Sequence, residues 1–481
     1  MTASKQQSAG KEKINEHGIF ADLNRETFDT PNDSEYIKKF SRGLSEELVR
    51  QISREKNEPE WMLTHRLKGL SAFFEMSLPQ WGPDLSELDF ANICFYARAA
   101  EGKNAKSWED VPESIKQTFE RLGIPEAERK MLAGAGAQYE SDTVYHSLKE
   151  HWEEKGVIFL DMDEAVQKHP DIVTKYFMKC VPIRDHKFAA LHAAVWSGGT
   201  FLCIPDHVQV DEPLQSYFRM NAPGMGQFEH TLIIIGKQAH GHYIEGCSAP
   251  KYGTSALHAG CVEVFVKEGA SFRYSSVENW SRDTYNLNTK RAVVEKNARM
   301  EWVGGNMGSG VTMLYPCSLL KGEGATADHL GIAFANAGQN QDTGAKVFHL
   351  ASHTSSTIVS KSISKAGGIS TYRGVVRIKN GAKECRIHTE CDALLLDDES
   401  QSNTIPDIDI GDNTAFVSHE ASVGRLSPDD IFYLRSRGLS EEQARSILVN
   451  GFLEPITREL PLEYAVEMNR LIELEMEGSV G

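Results

Sequence analysis

The sequence has no long apolar run. Its most apolar stretches, such as LIII at 232–235, fall far short of the ~20 residues a spanning helix needs. The first twenty residues, MTASKQQSAGKEKINEHGIF, contain no apolar signal core, so a soluble cytoplasmic protein is expected, with no membrane partner. Basic residues are outnumbered: 51 Lys plus Arg stand against 68 Asp plus Glu, giving a net charge of -17 over 481 residues. Such a field repels polyanions, which argues against a nucleic-acid or anionic-membrane surface. Paired cysteines are missing too. The eight cysteines (94, 180, 203, 247, 261, 317, 385, 391) occur singly with no C-x-x-C, which excludes a disulfide framework and a zinc-finger spacing and leaves reduced core residues as the expectation. No GxxxxGK[ST] occurs, and the glycine-rich GGNMGSG at 304–310 lies between β-like runs rather than before a helix, so no nucleotide is expected on a P-loop. HEASV, from His419, lacks the second histidine of HExxH, which removes a metalloprotease reading.

What is present divides the chain by character. After a polar segment at 1–35, residues 36–190 read as α-rich, with Ser45 an N-cap candidate, Pro59 opening a second helix, and helix-like pieces from 80 to 150 broken by prolines and by LAGAGAQ. One apolar strand, VIFLDM, interrupts the mixed run before 190. Residues 191–420 are a procession of short strand-like runs, among them TLIII, CVEVFV, SFRYSSV, AKVFHLA, TYRGVVRIK and CDALLL, closed by Gly, Asn, Ser and Asp turns. A sandwich and a solenoid both fit; the scarcity of tight hairpin signals favours a parallel β-helix, although no strict repeat period is visible. Helical patterning returns over 421–481, and SRGLSEEQARSI at 436–447 nearly repeats SRGLSEELVRQI at 41–52.

Five residues stand in settings that bear on chemistry. Cys391 lies in RIHTECDALL; if 385–391 is one strand, Cys385 shares its face but sits roughly 20 Å away, too far for one metal ion, and His388 faces the opposite side. Residue type alone favours a packing cysteine there. Cys247, in YIEGCSAP, follows a strand-like run and precedes Pro250, suggesting a strand end where a thiol is reachable and leaving structural and functional roles open. Cys261, in CVEVFV, reads as packing. Trp280 and Arg219, taken alone, read as a core or surface aromatic and a salt-bridging arginine.

Taken together, EPEWML (58–63), FRMN (218–221), GQFEHTLII (226–234), YIEGCSAP (243–250), NLNTKRA (286–292), GEGA (322–325), QDTGAKV (341–347), TSSTIVSKSIS (354–364), TYRG (371–374), ECDALL (390–395), SHEA (418–421) and LPLEYAVEMNRLIELEMEGSVG (460–481) resemble the SufB/SufD family of SUF iron-sulfur cluster assembly scaffolds. The resemblance runs from about residue 36 to the C-terminus, and the ECD, HEA and C-terminal strings favour its SufB branch. It implies a right-handed parallel β-helix core flanked by N-terminal and C-terminal helical domains. It further implies pairing with SufD or a second SufB through the β-helix, and docking of the SufC ATPase on the C-terminal helices. Sulfur is implied to arrive as persulfide from a cysteine desulfurase with a SufE- or SufU-type carrier. A transient iron-sulfur cluster is the implied cargo, with reduced flavin on the complex as an implied electron source.

Carried over by position, Cys391 matches the cluster-assembly cysteine, with His419 and Glu420 as nearby ligand candidates. Cys247 matches the sulfur-accepting cysteine, and Arg219, Asn221, Trp280 and Lys290 match the path between them. The chain departs from the family with Glu278 in VENW, where Gln is usual; an anion there would repel a passing sulfide, and Glu278 is left out of the expected site. Thiolate suits sulfur acceptance and soft iron ligation, and imidazole and carboxylate are harder ligands. The expected role is a scaffold without turnover of its own. The alternative is an adaptor that regulates the ATPase and holds no cluster. A carbohydrate-active β-helix enzyme would need a carboxylate cluster that no motif supplies.

Overall fold

The computed structural model describes residues 36, 38–98, 105, 108–111, 115–116, 132–459, 468–469, 471–473 and 475–476; the expected polar segment at 1–35 and most of the 460–481 motif lie outside them. The centre of the chain is a parallel β-solenoid. One wall stacks eight strands in register: Leu214–Arg219, His240–Ser248, Ser271–Asn279, Arg299–Asn306, Thr326–Ala335, Ser355–Ser364, Arg386–Leu395 and Phe416–Arg425. The facing wall is built of shorter strands in its first rungs, including His230–Ile235, Cys261–Val266 and Thr289–Val294, and ends in the long strands Asn340–His349, Ile369–Ile378 and Gln401–Ile410. Residues paired between rungs are 31 apart at Tyr243 and Tyr274 but 27 apart at Trp302 and His329. That drift hides the repeat from a period search while the hydrogen-bonded register stays intact.

Strand alternation sends every second side chain inward. Val262, Val264, Val266, Tyr243, Tyr274, Trp302, Ile358 and Ile387 join one continuous interior core. Outward residues are covered at both ends of the chain. The helices Glu46–Glu55, Glu60–Glu75 and Lys187–Val195 pack on the first rungs, burying Leu48, Leu70, Phe73 and Leu191. The C-terminal helix Glu441–Thr457 lays Val449, Leu453 and Ile456 over Ile332, Phe334 and Ile363, each burial worth about 2 kcal/mol. The two near-repeated sequences begin helices alike: Ser45 Oγ accepts from Leu48 N at 3.2 Å, and Ser440 closes a capping box with Gln443.

Two expectations change. LAGAGAQ is no helix break: Gly134–Tyr139 is a strand that pairs with Leu214–Arg219 and, antiparallel, with Asp142–Leu148, extending the wall into the expected α-rich region. Glycine is needed there because a Cβ at Gly134 would lie 2.7 Å from Ser147 O. At the other end, strand continues to Arg425, past the expected helical boundary at 421, and the next helix is Pro428–Ser436. This last rung is uncovered, with Phe416 68% and Val423 56% exposed.

Candidate site inside the solenoid

The in-register stack turns isolated sequence motifs into columns. On the inner face of the first wall, Tyr243, Tyr274, Trp302, His329, Ile358, Thr389 and His419 form a bulky column. Beside it runs Glu245, Ser276, Gly304, Gly331, Ser360 and Cys391. Four small residues therefore separate Glu245 from Cys391. They leave an interior cavity of about 60 Å³ whose lining includes Lys290, Ser276, Gly331, Ser360 and Tyr372. Gly331 faces open space where a Cβ would point.

At the start of this cavity stands a buried ionic network. Lys290 Nζ donates to Glu278 Oε1 at 2.7 Å and to Glu245 Oε1 at 3.1 Å, and Tyr274 Oη donates to Glu245 Oε2 at 2.5 Å. Asn286 Nδ2 donates to Glu278 Oε2 at 2.7 Å, and His258 lies 2.5 Å from Glu229 Oε1 and packs tilted against Trp280 at 4.3 Å between ring centroids. Burial alone would lower the Lys290 pKa, but Glu245 and Glu278 hold it above its ordinary value. Burial alone would raise Glu278; Lys290 and then His258 bring it below the usual carboxyl range. Burial keeps Glu245 raised despite Lys290. Close pairing is what makes such charges tolerable away from water.

Cys247 is the cross-strand neighbour of Glu278 and points into this network, packed with Phe218, Met220 and Trp280. It is 1% exposed, so the expected reachable strand end is instead a buried thiol, and burial first, then Glu245 and Glu278, push its pKa well up. Glu278, left out of the expected site, lies within this network, its carboxylate paired with Lys290. Glu245, His258 and Asn286 also belong, and only rung register, invisible in the local sequence, brings them together.

Arg219 and Asn221 gather elsewhere. Arg219 is one residue beyond Phe218, hence on the other face from Cys247, and its Nη1 donates to Ser248 Oγ at 3.0 Å. The Asn221 amide donates to Glu140 Oε1 at 3.1 Å, which also accepts from Tyr36 Oη at 2.8 Å. Burial lifts Glu140 to about 7, with Arg219 among the cations opposing the rise.

At the far end, Cys391 points inward with its Sγ 3.5 Å from His419 Nε2, which comes from the next rung. Burial raises the thiol to about 12, opposed by the Tyr372 hydroxyl across the cavity. Glu420 pairs with Glu390 and therefore projects from the opposite face of the wall, exposed. The expected trio is thus two inward side chains, a thiol and an imidazole, and one outward carboxylate. Cys385, just before the strand, is buried against Thr354 Oγ1 at 3.3 Å and is no partner of Cys391.

Two family descriptions match the chain: the SUF system FeS cluster assembly SufBD core domain over residues 218–452, and the SufBD protein N-terminal region over 135–216. The iron-sulfur cluster assembly protein SufB of Bacillus subtilis is 54% identical over 445 residues, covering 92% of this chain and 96% of that protein. An iron-sulfur cluster assembly SufBD family protein of Staphylococcus aureus is 54% identical over 450 residues, covering 94% and 97%.

Proposed function

The chain belongs to the SufB/SufD family, and from that premise we propose that it is an iron-sulfur assembly scaffold that takes up sulfane sulfur at Cys247 and builds a nascent cluster at Cys391. The observation that supports this reading is the interior cavity, which runs from Lys290, beside Cys247, to Tyr372, beside Cys391. Lys290 offers a permanent cation where a hydropersulfide or sulfide anion would start, and the Ser and Gly column leaves it room. Trp280 closes the apolar side of the Cys247 pocket. Arg219 and Asn221 serve as the electrostatic frame outside it, around Glu140.

At Cys391, iron is cargo. The thiol gives up its proton as iron binds, His419 supplies the second ligand, and Glu420 faces outward to a partner subunit. With so few ligands from one chain, the cluster stays labile. The open last rung suits SufD or a second SufB, and the exposed Phe432 and Tyr433 on the Pro428–Ser436 helix suit the SufC ATPase, which supplies the ATP hydrolysis. A cysteine desulfurase with a SufE- or SufU-type carrier is the sulfur source, and reduced flavin on the complex the electron source.

The test uses the complex with its ATPase and partner subunit, supplied with iron and a persulfide-loaded donor. Persulfide trapped on Cys247 by mass spectrometry, and cluster absorbance lost in Cys391→Ala, are expected. Normal cluster assembly by Cys391→Ala, or labelling that bypasses Cys247, overturns the reading.

A further inference from the structure

Among the described residues, the His, Cys and carboxylate atoms packed tightly enough to hold a metal ion are not at Cys391 but on the outer face of the second wall. His192, His230 and Cys261 each offer one ligand atom, all within 4.8 Å of one another and all buried. They come from three elements. His230 and Cys261 are cross-strand neighbours in adjacent rungs, and His192 lies on the Lys187–Val195 helix that covers them.

Hydrogen placement sharpens the case. His192 Nδ1 is 3.0 Å from Ala259 O, and a carbonyl only accepts, so that nitrogen carries the hydrogen and Nε2 is a bare lone pair. His230 Nε2 lies 3.4 Å from the Glu263 carboxylate but makes no hydrogen bond, and its Nδ1 faces His192 Nε2. At 3.0 Å His230 Nδ1 donates to His192 Nε2; a metal ion between them would displace that hydrogen to His230 Nε2, beside the Glu263 carboxylate. Glu263 is fixed as an acceptor by the amides of Met178, Cys180 and Val181 at 2.5, 2.6 and 2.8 Å. Two imidazole nitrogens and a thiol converging in one buried pocket are a donor set suited to a zinc-type ion. A backbone carbonyl on the distal nitrogen, as Ala259 O is for His192, is also a usual outer partner of a metal-bound histidine.

We propose that His192 Nε2, His230 Nδ1 and Cys261 Sγ bind a divalent transition metal of the zinc type, clamping the N-terminal helical layer to the solenoid. Two imidazoles and a thiolate suit zinc-like ions at about 2.0–2.3 Å. The thiol proton leaves to solvent as the metal binds, and the metal's charge replaces it. The site lies on the opposite side of the wall from the interior cavity, so its role is separate from sulfur handling.

The experiment expresses the full chain carrying Cys391→Ala, which removes the cluster cysteine, in cobalt-supplemented medium. About one cobalt per chain is expected, with the d–d bands of a four-coordinate site in which a water joins the three protein ligands, and an intense thiolate-to-cobalt charge-transfer band. Adding Cys261→Ala abolishes the charge-transfer band, and His192→Gln lowers metal content at least tenfold. Cobalt-free protein, or bands that survive Cys261→Ala, overturns the proposal. Because the parent protein's own spectrum decides the matter, a poorly folding variant does not rescue it.

Discussion

Cys391 Sγ and His419 Nε2 stand 3.5 Å apart across the last two rungs of the first wall, both turned toward the solenoid interior. Burial holds the free thiol at about 12, so at neutral pH iron must displace a proton to bind it. Iron affinity at this pair should therefore rise about tenfold per pH unit between about pH 7 and 9. Chelator competition on the anaerobic protein measures this. A pH-independent affinity would mean that Cys391 is not the ligand, and His419→Ala should weaken binding without removing the slope.

Lys290 neutralises two buried carboxylates. Lys290→Met should cost roughly 3–5 kcal/mol by denaturant unfolding, because Glu245 and Glu278 are left uncompensated. Glu278→Gln should cost less, since Lys290 keeps Glu245, and the double variant should recover part of the loss. The folded pKa of Glu278 is below its unfolded value, so its contribution is full above the ordinary carboxyl pKa and disappears as pH falls through the folded value. That of Lys290 is above, so its contribution is full below its ordinary value and is lost only as pH rises through the folded one. Acid unfolding of Glu278→Gln should accordingly be less steep than that of the parent.

Gly331→Val fills the free space of the small column. The added Cβ meets nothing within 4 Å, and with the two methyls beyond it taken up by the cavity, stability should change by less than about 1 kcal/mol. Persulfide should still form on Cys247 while cluster formation at Cys391 falls at least tenfold. Unchanged cluster formation would remove the cavity from the sulfur route. Gly308→Ala is the contrast: its Cβ would meet Trp280 O at 1.9 Å, and a loss of stability of about 1–3 kcal/mol is expected in a melting experiment.

Phe432 and Tyr433 are 74% and 56% exposed on a helix that buries none of its residues. Replacing both with Ala should leave stability within about 0.5 kcal/mol and weaken binding of the ATPase subunit at least tenfold. Titration calorimetry reads both affinity and stoichiometry. Retained affinity would move the docking surface elsewhere.

The strand procession, the helix cap at Ser45 and the isolation of Cys391 from Cys385 were legible in the residues because each depends on neighbours in sequence. The pairing of Cys247 with Glu278, and of Lys290 with Glu245, was not. It depends on rungs whose spacing drifts, so no local pattern encodes it. LAGAGAQ misled for a related reason: glycine marks a break in isolated chain, but here it permits close strand contact. The last rung, with Pro406 and many exposed residues, lacks the inside-outside alternation that betrays a covered strand.

The Ser and Gly column also sets a limit on how cargo can travel. Five rung steps separate Glu245 from Cys391, about 24 Å at the usual interstrand spacing, whereas a cysteine side chain swings through only a few ångströms. Direct exchange between the two thiols is closed by distance, and the column itself offers no relay nucleophile stronger than a serine hydroxyl. On the proposed route, sulfur crosses this interior as detached sulfide, freed when two electrons from reduced flavin cleave the persulfide on Cys247. Its flux would depend on retention within the walls, and an outward leak would compete directly with cluster growth.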